Sequence, residues 1–373
     1  MKPAFKLFTL LSLFILPGFT HAAQAAERET FTKTILKEFS IPADGTTYLN
    51  TRYGKTEVKT WDKNKVKITV HIEVKASSKS SADDVFERIQ IQFSNGSDYV
   101  KATTSIQSGN SWQSWFGYNK TDYSINYEVY MPETNRLDLA HRYGDAYIGS
   151  MTGKAVLDIK YGNLKAEKIG DQSSLLFGYS KGYIAHARNL STEISYSELR
   201  IEEAAQVRCT SKYTKLHIEK ARDVDAVSKY DTYTLGSIQS LRNTGSYDNF
   251  RIESVQSVQM NTSYTQVQVE KISGALEFIA KYSGLEAKLG SDFSRVQIES
   301  SYSDARLGIP SNTSYTLDAQ ADYTSISYPD NLQVSYDVKN NTTHTIRGKY
   351  GNTPDKRIKL SMRYGGGTRL YTY

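Results

Sequence analysis

Apolar and polar positions alternate with period two along most of this chain, and the alternation itself recurs in units of about seventeen residues. Tyr143, Tyr161, Tyr179, Tyr196, Tyr213, Tyr230, Tyr247, Tyr264 and Tyr282 mark the units. Four and two residues before successive tyrosines come Leu157 and Ile159, Leu175 and Phe177, Thr192 and Ile194, and so on to Phe278 and Ala280. That spacing describes a strand with one buried face. A small or turn-forming residue follows each tyrosine, as in Gly144, Ser197, Asp231 and Ser283. A second short strand comes next, apolar at its third and fifth positions after the tyrosine: Leu199 and Ile201, Leu216 and Ile218, Phe250 and Ile252. A third segment carries apolar residues three apart, such as Ile252, Val255 and Val258. Three short faces and three bends complete one coil.

A fixed period of this length means one small unit stacked on copies of itself. A single coil cannot bury its apolar edge, whereas a stack makes a continuous core. The pattern predicts an all-β chain, a single parallel β-solenoid with coils of about 17 residues. Helix is disfavoured by the two-residue apolar spacing and by the abundance of β-branched residues, Tyr, Ser and Thr. At ~4.8 Å per coil, the ten steps from Tyr143 to Tyr323 build a rod about 48 Å long. The tyrosines share the phase of the buried residues, so the alternation places them inward, as an interior ladder of stacked rings at one corner. An outward, ligand-stacking ladder is the alternative.

The ends depart from the period. Tyr53-Gly54 has the same tyrosine-corner form as Tyr143-Gly144, yet ninety residues separate them. Between them the alternating runs Val66 to Val74, Ile89 to Phe93 and Tyr123 to Tyr130 are longer than coil strands and predict an antiparallel insertion, with a short helix or turn over Ser81 to Glu87. Solenoid ends expose unpaired edges and apolar core, so a cap is required. The chain divides into a signal peptide (1–25), an N-terminal first coil with an antiparallel β cap (26–136), the regular solenoid (137–328) and C-terminal coils with a closing cap (329–373).

Lys2 and Lys6 precede the apolar run Leu7 to Phe19, and Ala23-Gln24-Ala25 fits a signal peptidase site. The run is too short for a permanent membrane anchor. Export is therefore expected, to the periplasm, the outer surface or the medium, with no transmembrane anchor after leader removal. The full chain of 373 residues carries a formal charge of +6, and loss of the two leader lysines leaves +4. So mild an imbalance gives no argument for nucleic acid. Cys209, the only cysteine, falls on an inward register and reads as a small buried residue.

Three stretches, Phe39 to Asp44 (FSIPAD), Asn50-Thr51-Arg52-Tyr53-Gly54, and Val58 to Val66 with its Trp61-Asp62-Lys63-Asn64 turn, resemble the opening of the bacterial putative-adhesin domain family of unknown function in its Bacteroidetes-type form. The later tyrosine corners are similar to that family too, so the resemblance covers nearly all of the mature chain. It implies a secreted or envelope β-solenoid, and it brings no catalytic residues with it.

Candidate chemistry is sparse. None of the six histidines forms a short metal-binding pattern, and no nucleophile elbow, phosphate loop or dinucleotide fingerprint appears. No catalytic residue, metal ligand or cofactor is assigned, and His141 reads as a hydrogen-bonded core histidine. Glu202, Glu219, Glu253 and Glu270, each six residues after a tyrosine, fall on one outer row beside Arg200, Lys220, Arg251 and Lys271. The row reads as a solvated ion-pair ladder rather than a calcium site. Trp112, Trp115, Phe116 and Tyr118 cluster in one short segment and are the candidate ligand-binding residues; the competing reading has them folding over the open end of the solenoid. The sequence thus points to a non-enzymatic, adhesin-like scaffold at the cell envelope, binding a glycan or an envelope or host surface protein. The alternatives are a carbohydrate-active β-helix enzyme such as a polysaccharide lyase, and a periplasmic structural or envelope-stress-linked protein. The sequence sets no oligomeric state.

Overall fold

The computed structural model describes residues 28–107 and 122–373. They form one continuous sheet of 27 strands wound into a parallel β-solenoid, with one short helix. In the most regular part each coil is a single bent strand of 15 or 16 residues, from Lys181–Ser195 to Gln266–Lys281, joined to the next at a tyrosine corner. Register between coils is one repeat: Leu199 pairs with Leu216, Val207 with Val224, Cys209 with Ala226. Pairing is skipped at Glu202 and Ala205, and these two breaks with the tyrosine corner are the three bends.

The core is built in rows. Leu199, Leu216, Tyr233, Phe250 and Val267 share one register, and Val207, Val224, Leu241, Val258 and Leu276 share another; all are buried. Deep rows tolerate exchange of side chains between coils, as where Tyr233 and Phe250 stack at 4.6 Å.

The tyrosine ladder is present, but it is not interior. Every ladder tyrosine has a left-handed backbone, with φ between +50° and +62°. One such residue breaks the strict alternation of a strand and turns its side chain outward. The residue after it then points inward, and Ser197, Thr214, Asp231, Asp248 and Thr265 are all buried. Alternation breaks at the one position of each coil where the backbone leaves the β region.

At the N-terminal end the coil of strands Thr46–Arg52 and Thr56–Trp61 lies between two others. Strand Arg136–Arg142 packs on one side of Thr46–Arg52 and strand Tyr99–Ile106 on the other. Beyond it, Glu29–Ser40, Lys65–Ala76 and Asp122–Pro132 pair antiparallel, and the helix Lys79–Arg88, capped by Ser78, lies against Lys65–Ala76. The C-terminal end repeats the device. Strand Lys356–Arg363 inserts between Arg295–Ser301 and Tyr315–Asp322, so the last coil in sequence is not the last in space. The hairpin Gln333–Asn340 and Thr343–Tyr350 then covers the outer edge. No helix among the described residues is long and apolar enough to cross a membrane.

Candidate functional site

The most distinctive surface is the tyrosine rail. Tyr53, Tyr143, Tyr161, Tyr179, Tyr196, Tyr213, Tyr230, Tyr247, Tyr264 and Tyr282 stack in order, then Tyr302, Tyr364 and Tyr323. Centroids are 4.8–5.2 Å apart and rings lie within 20° of parallel. From Tyr143 onward each is between 39% and 60% exposed. Tyr364 enters between Tyr302 and Tyr323 because its strand inserts there, so the rail follows the spatial order of coils and not the sequence.

Stacking constrains what the rail can do. Each ring face is covered by its neighbours, so a sugar or an aromatic ligand has no free face to lie on along the run. What remains outward is a line of ring edges and phenol hydroxyls repeating once per coil. Beside it, Lys212 and Lys229 set their ammonium groups 5.1 Å from the centroids of Tyr213 and Tyr230. A shallow groove of about 760 Å³ runs along the flank, floored by Tyr161, Tyr179, Tyr196 and Tyr213 and edged by Lys181 and Lys215.

The corner that exposes each tyrosine leaves the next backbone N–H pointing into the core, where it needs an acceptor. A side chain of the neighbouring coil supplies it. Ser180 N–H donates to Ser197 Oγ at 3.1 Å, Thr214 N–H to Asp231 Oδ1 at 2.7 Å, Asp231 N–H to Asp248 Oδ1 at 2.8 Å and Thr265 N–H to Ser283 Oγ at 3.1 Å. This row of hydroxyls and carboxylates is why the position after the tyrosine is polar although buried. In the first coils the row is glycine, and a Cβ at Gly162 would lie 1.7 Å from the Gly144 carbonyl oxygen. Burial pushes the Asp248 carboxyl up to about 6, with the Asp231 charge adding to the rise, and burial raises Asp231 as well.

The remaining sequence candidates separate. His141 is fully buried, its Nδ1 2.7 Å from Thr51 Oγ1, and burial pushes the imidazole down to about 4, so it is a neutral core group. Cys209 is buried with Tyr233 and Ser211 around it, and burial raises its thiol. The glutamate row is interrupted by Gly236. Glu219 accepts from Arg200 at 3.4 Å and lies 3.0 Å from His217, and Glu270 accepts from Lys288 at 2.9 Å. No group of three or more His, Cys, Asp or Glu side chains suited to a metal occurs among the described residues. Trp112, Trp115, Phe116 and Tyr118 lie outside the described residues. Sequence reasoning missed the buried polar row. Its signal was the unbroken polar or glycine identity of the residue after each tyrosine.

No protein-family model matches the chain, and no curated protein matches it. Among solved structures it is similar to a putative adhesin from Parabacteroides merdae, at 8% identity over 91% of this chain and 96% of that one, with a TM-score of 0.30. A putative lipid binding protein from Parabacteroides distasonis gives 9%, 91%, 97% and 0.29, and a putative cell adhesion protein from Clostridium sporogenes gives 9%, 92%, 99% and 0.19. Apart from that putative lipid binding protein, the neighbours named are putative adhesion proteins from Bacteroidetes and Clostridium. The resemblance read from Phe39 to Asp44 and the Tyr53 corner points to the same group of proteins. Likeness at this level of identity and superposition decides nothing about ligand or chemistry.

Proposed function

We propose that this protein is a non-enzymatic, exported scaffold of the cell envelope that binds a glycan or protein partner, in the manner of an adhesin. The observation that carries this reading is the rail. Single-domain surfaces rarely expose a contiguous aromatic strip of this length unless something contacts it. Stacking alone would be satisfied by burying the rings, and here the backbone is held in a costly left-handed conformation that turns thirteen of them outward. Repetition adds to the argument, since a partner with repeating chemistry can engage many coils at once and gain avidity from weak contacts. The apolar run after Lys2 and Lys6 supports export, and the near-minimal coils, which carry no long loops between strands from Lys181 to Lys281, support binding over turnover.

Protease shaving of intact producing cells tests the reading. The mature chain is expected to be lost while a periplasmic control is spared. Full protection of the chain would remove the adhesin reading and direct the search to periplasmic partners.

A further inference from the structure

Each coil has one very short face, between the bends at positions equivalent to Glu202 and Ala205. It buries a single residue per coil, for example Ala204, Ala221, Ile238 and Val255. The residues on either side of that buried row point out and rise as two walls. Between them runs a groove of about 1040 Å³ reaching from Thr152 to Asp292. Nine coils, eight steps apart end to end, span about 38 Å. That volume is at the top of the range for compact ligands, and its elongation suits a polymer instead.

The walls carry cations at regular intervals. Lys168, Lys220 and Lys271 stand on one wall at three-coil steps of about 14 Å, and Arg188 and Arg222 on the other at a two-coil step of about 10 Å. Lys168, Arg188 and Lys271 make no ion pair among the described residues. Of the acids lining it, Glu203 accepts from Lys220 at 3.2 Å and lies 3.5 Å from His186, Asp171 accepts from Asn189 at 2.8 Å, and Asp292 stands at the far end; Arg222 donates to Asp223 at 2.8 Å along the wall. Glu219 and Glu270 on the rim turn away, toward Arg200 and Lys288. Further along, Ser237, Gln239, Ser254 and Gln256 offer neutral hydrogen-bonding groups.

What lines the groove also excludes ligands. Its lining has no Phe, Tyr or Trp, and its one imidazole, His186, lies 3.5 Å from Glu203, so nucleobases and the apolar faces of neutral sugars have no run of rings to stack on. Each strand along it is flanked by the coils above and below, so the groove offers no open strand edge to which an extended peptide could add. The same cationic chemistry returning every second or third coil matches a polymer whose charge repeats, such as a chain of alternately facing sugars that presents equivalent groups at every second residue.

We propose that the groove binds a linear acidic polysaccharide, its carboxylates or sulfates held by Arg188, Arg222 and the lysine wall and its hydroxyls by the serine and glutamine side chains. The proposal deepens the scaffold reading and rests on it.

Calorimetric titration of the full mature chain tests it with oligomeric polygalacturonate and heparin as acidic probes, methyl-esterified polygalacturonate as the neutral form of the same backbone, and polyglutamate as an acidic peptide. At least one acidic glycan is expected to bind, with affinity falling as salt rises, and the ester and polyglutamate are not. Arg188→Gln with Arg222→Gln should weaken binding about tenfold, since each removes a partly exposed charge contact. Lys212→Gln with Lys229→Gln, on the rail, should leave it unchanged. Failure of both acidic glycans to bind, equal binding of the ester or of polyglutamate, or indifference to the arginine pair would each overturn the proposal. Binding lost with the rail pair and kept with the groove pair would also overturn it, while leaving the scaffold reading in place.

Discussion

The left-handed corner can be tested at Tyr247, which stacks on Tyr230 and Tyr264 at 4.8 Å on each side and is 45% exposed at φ +62°. Truncation to Ala removes the buried half of the ring, ~100 Å² of apolar surface, worth about 2.5 kcal/mol. It also removes two stacking contacts worth about 0.5–1.5 kcal/mol each beyond their area. The loss is therefore about 4 kcal/mol, and Ala inherits the left-handed strain in full. Tyr247→Gly loses the same contacts but relieves that strain, by about 1–2 kcal/mol, against an added unfolded-state entropy of roughly 0.5–1 kcal/mol. Gly should thus be the milder of the two by about 0.5–1 kcal/mol. Tyr247→Phe keeps the ring and loses only the exposed hydroxyl, so it should stay within about 0.5 kcal/mol of wild type. A solenoid can lose its coils unevenly, so the assay is amide hydrogen exchange in the adjacent strand Asn249–Ser263, read against the distant strand Ala146–Ser150. The expected order of protection is wild type equal to Phe, then Gly, then Ala. Ala at or above Gly would refute the strain argument, and Phe as damaging as Ala would show that the hydroxyl, not the ring stack, holds the corner.

Asp248 has a folded pKa of about 6 against an ordinary 3.8, so the native state binds the proton more tightly and stability falls as pH rises through that window. The Asp248→Asn variant should lose that contribution, so the melting temperature of wild type relative to it should rise between pH 7.5 and pH 4.5, by the equivalent of about 2 kcal/mol; a flat difference would contradict it. Deleting residues 356–373 removes a layer from inside the stack and leaves Arg295–Ser301 and Tyr315–Asp322 without their shared partner. Limited proteolysis should then cut beyond Ile309 while the central coils stay intact, and a peptide of the deleted sequence added in trans should restore protection. Gly162→Ala should lower the thermal stability of the early coils because its Cβ meets the Gly144 carbonyl oxygen, whereas Ser180→Ala, which keeps the space and removes one hydroxyl acceptor, should cost only about 1–2 kcal/mol.

Much of this architecture was legible because each coil repeats the same physical problem. Leu199 and Ile201 recur as Leu216 and Ile218, and a core row needs only that the same phase return every seventeen residues, which period and alternation report directly. The insertion between Tyr53 and Tyr143 was legible for the opposite reason, since strands such as Val66 to Val74 are too long for a coil and must pair differently. What alternation could not report was a residue that leaves the β region, because hydropathy carries no sign for φ. Tyr is an uncommon occupant of the left-handed region, so nothing in its identity warned that it would turn outward. The clue lay one position later, where Ser180, Thr214, Asp231 and Thr265 are too consistently polar for a core row and too buried for a surface turn. Read as acceptors for an inward N–H, they determine the corner, and the corner determines the rail. The inserted strand Lys356–Arg363 and the axial groove were illegible for a different reason. Both depend on which coil lies beside which, and Tyr364 stacks between Tyr302 and Tyr323 although it follows both in sequence. A repeat specifies the contents of every layer, and the order of the layers at the ends is fixed only by which edges remain to be covered.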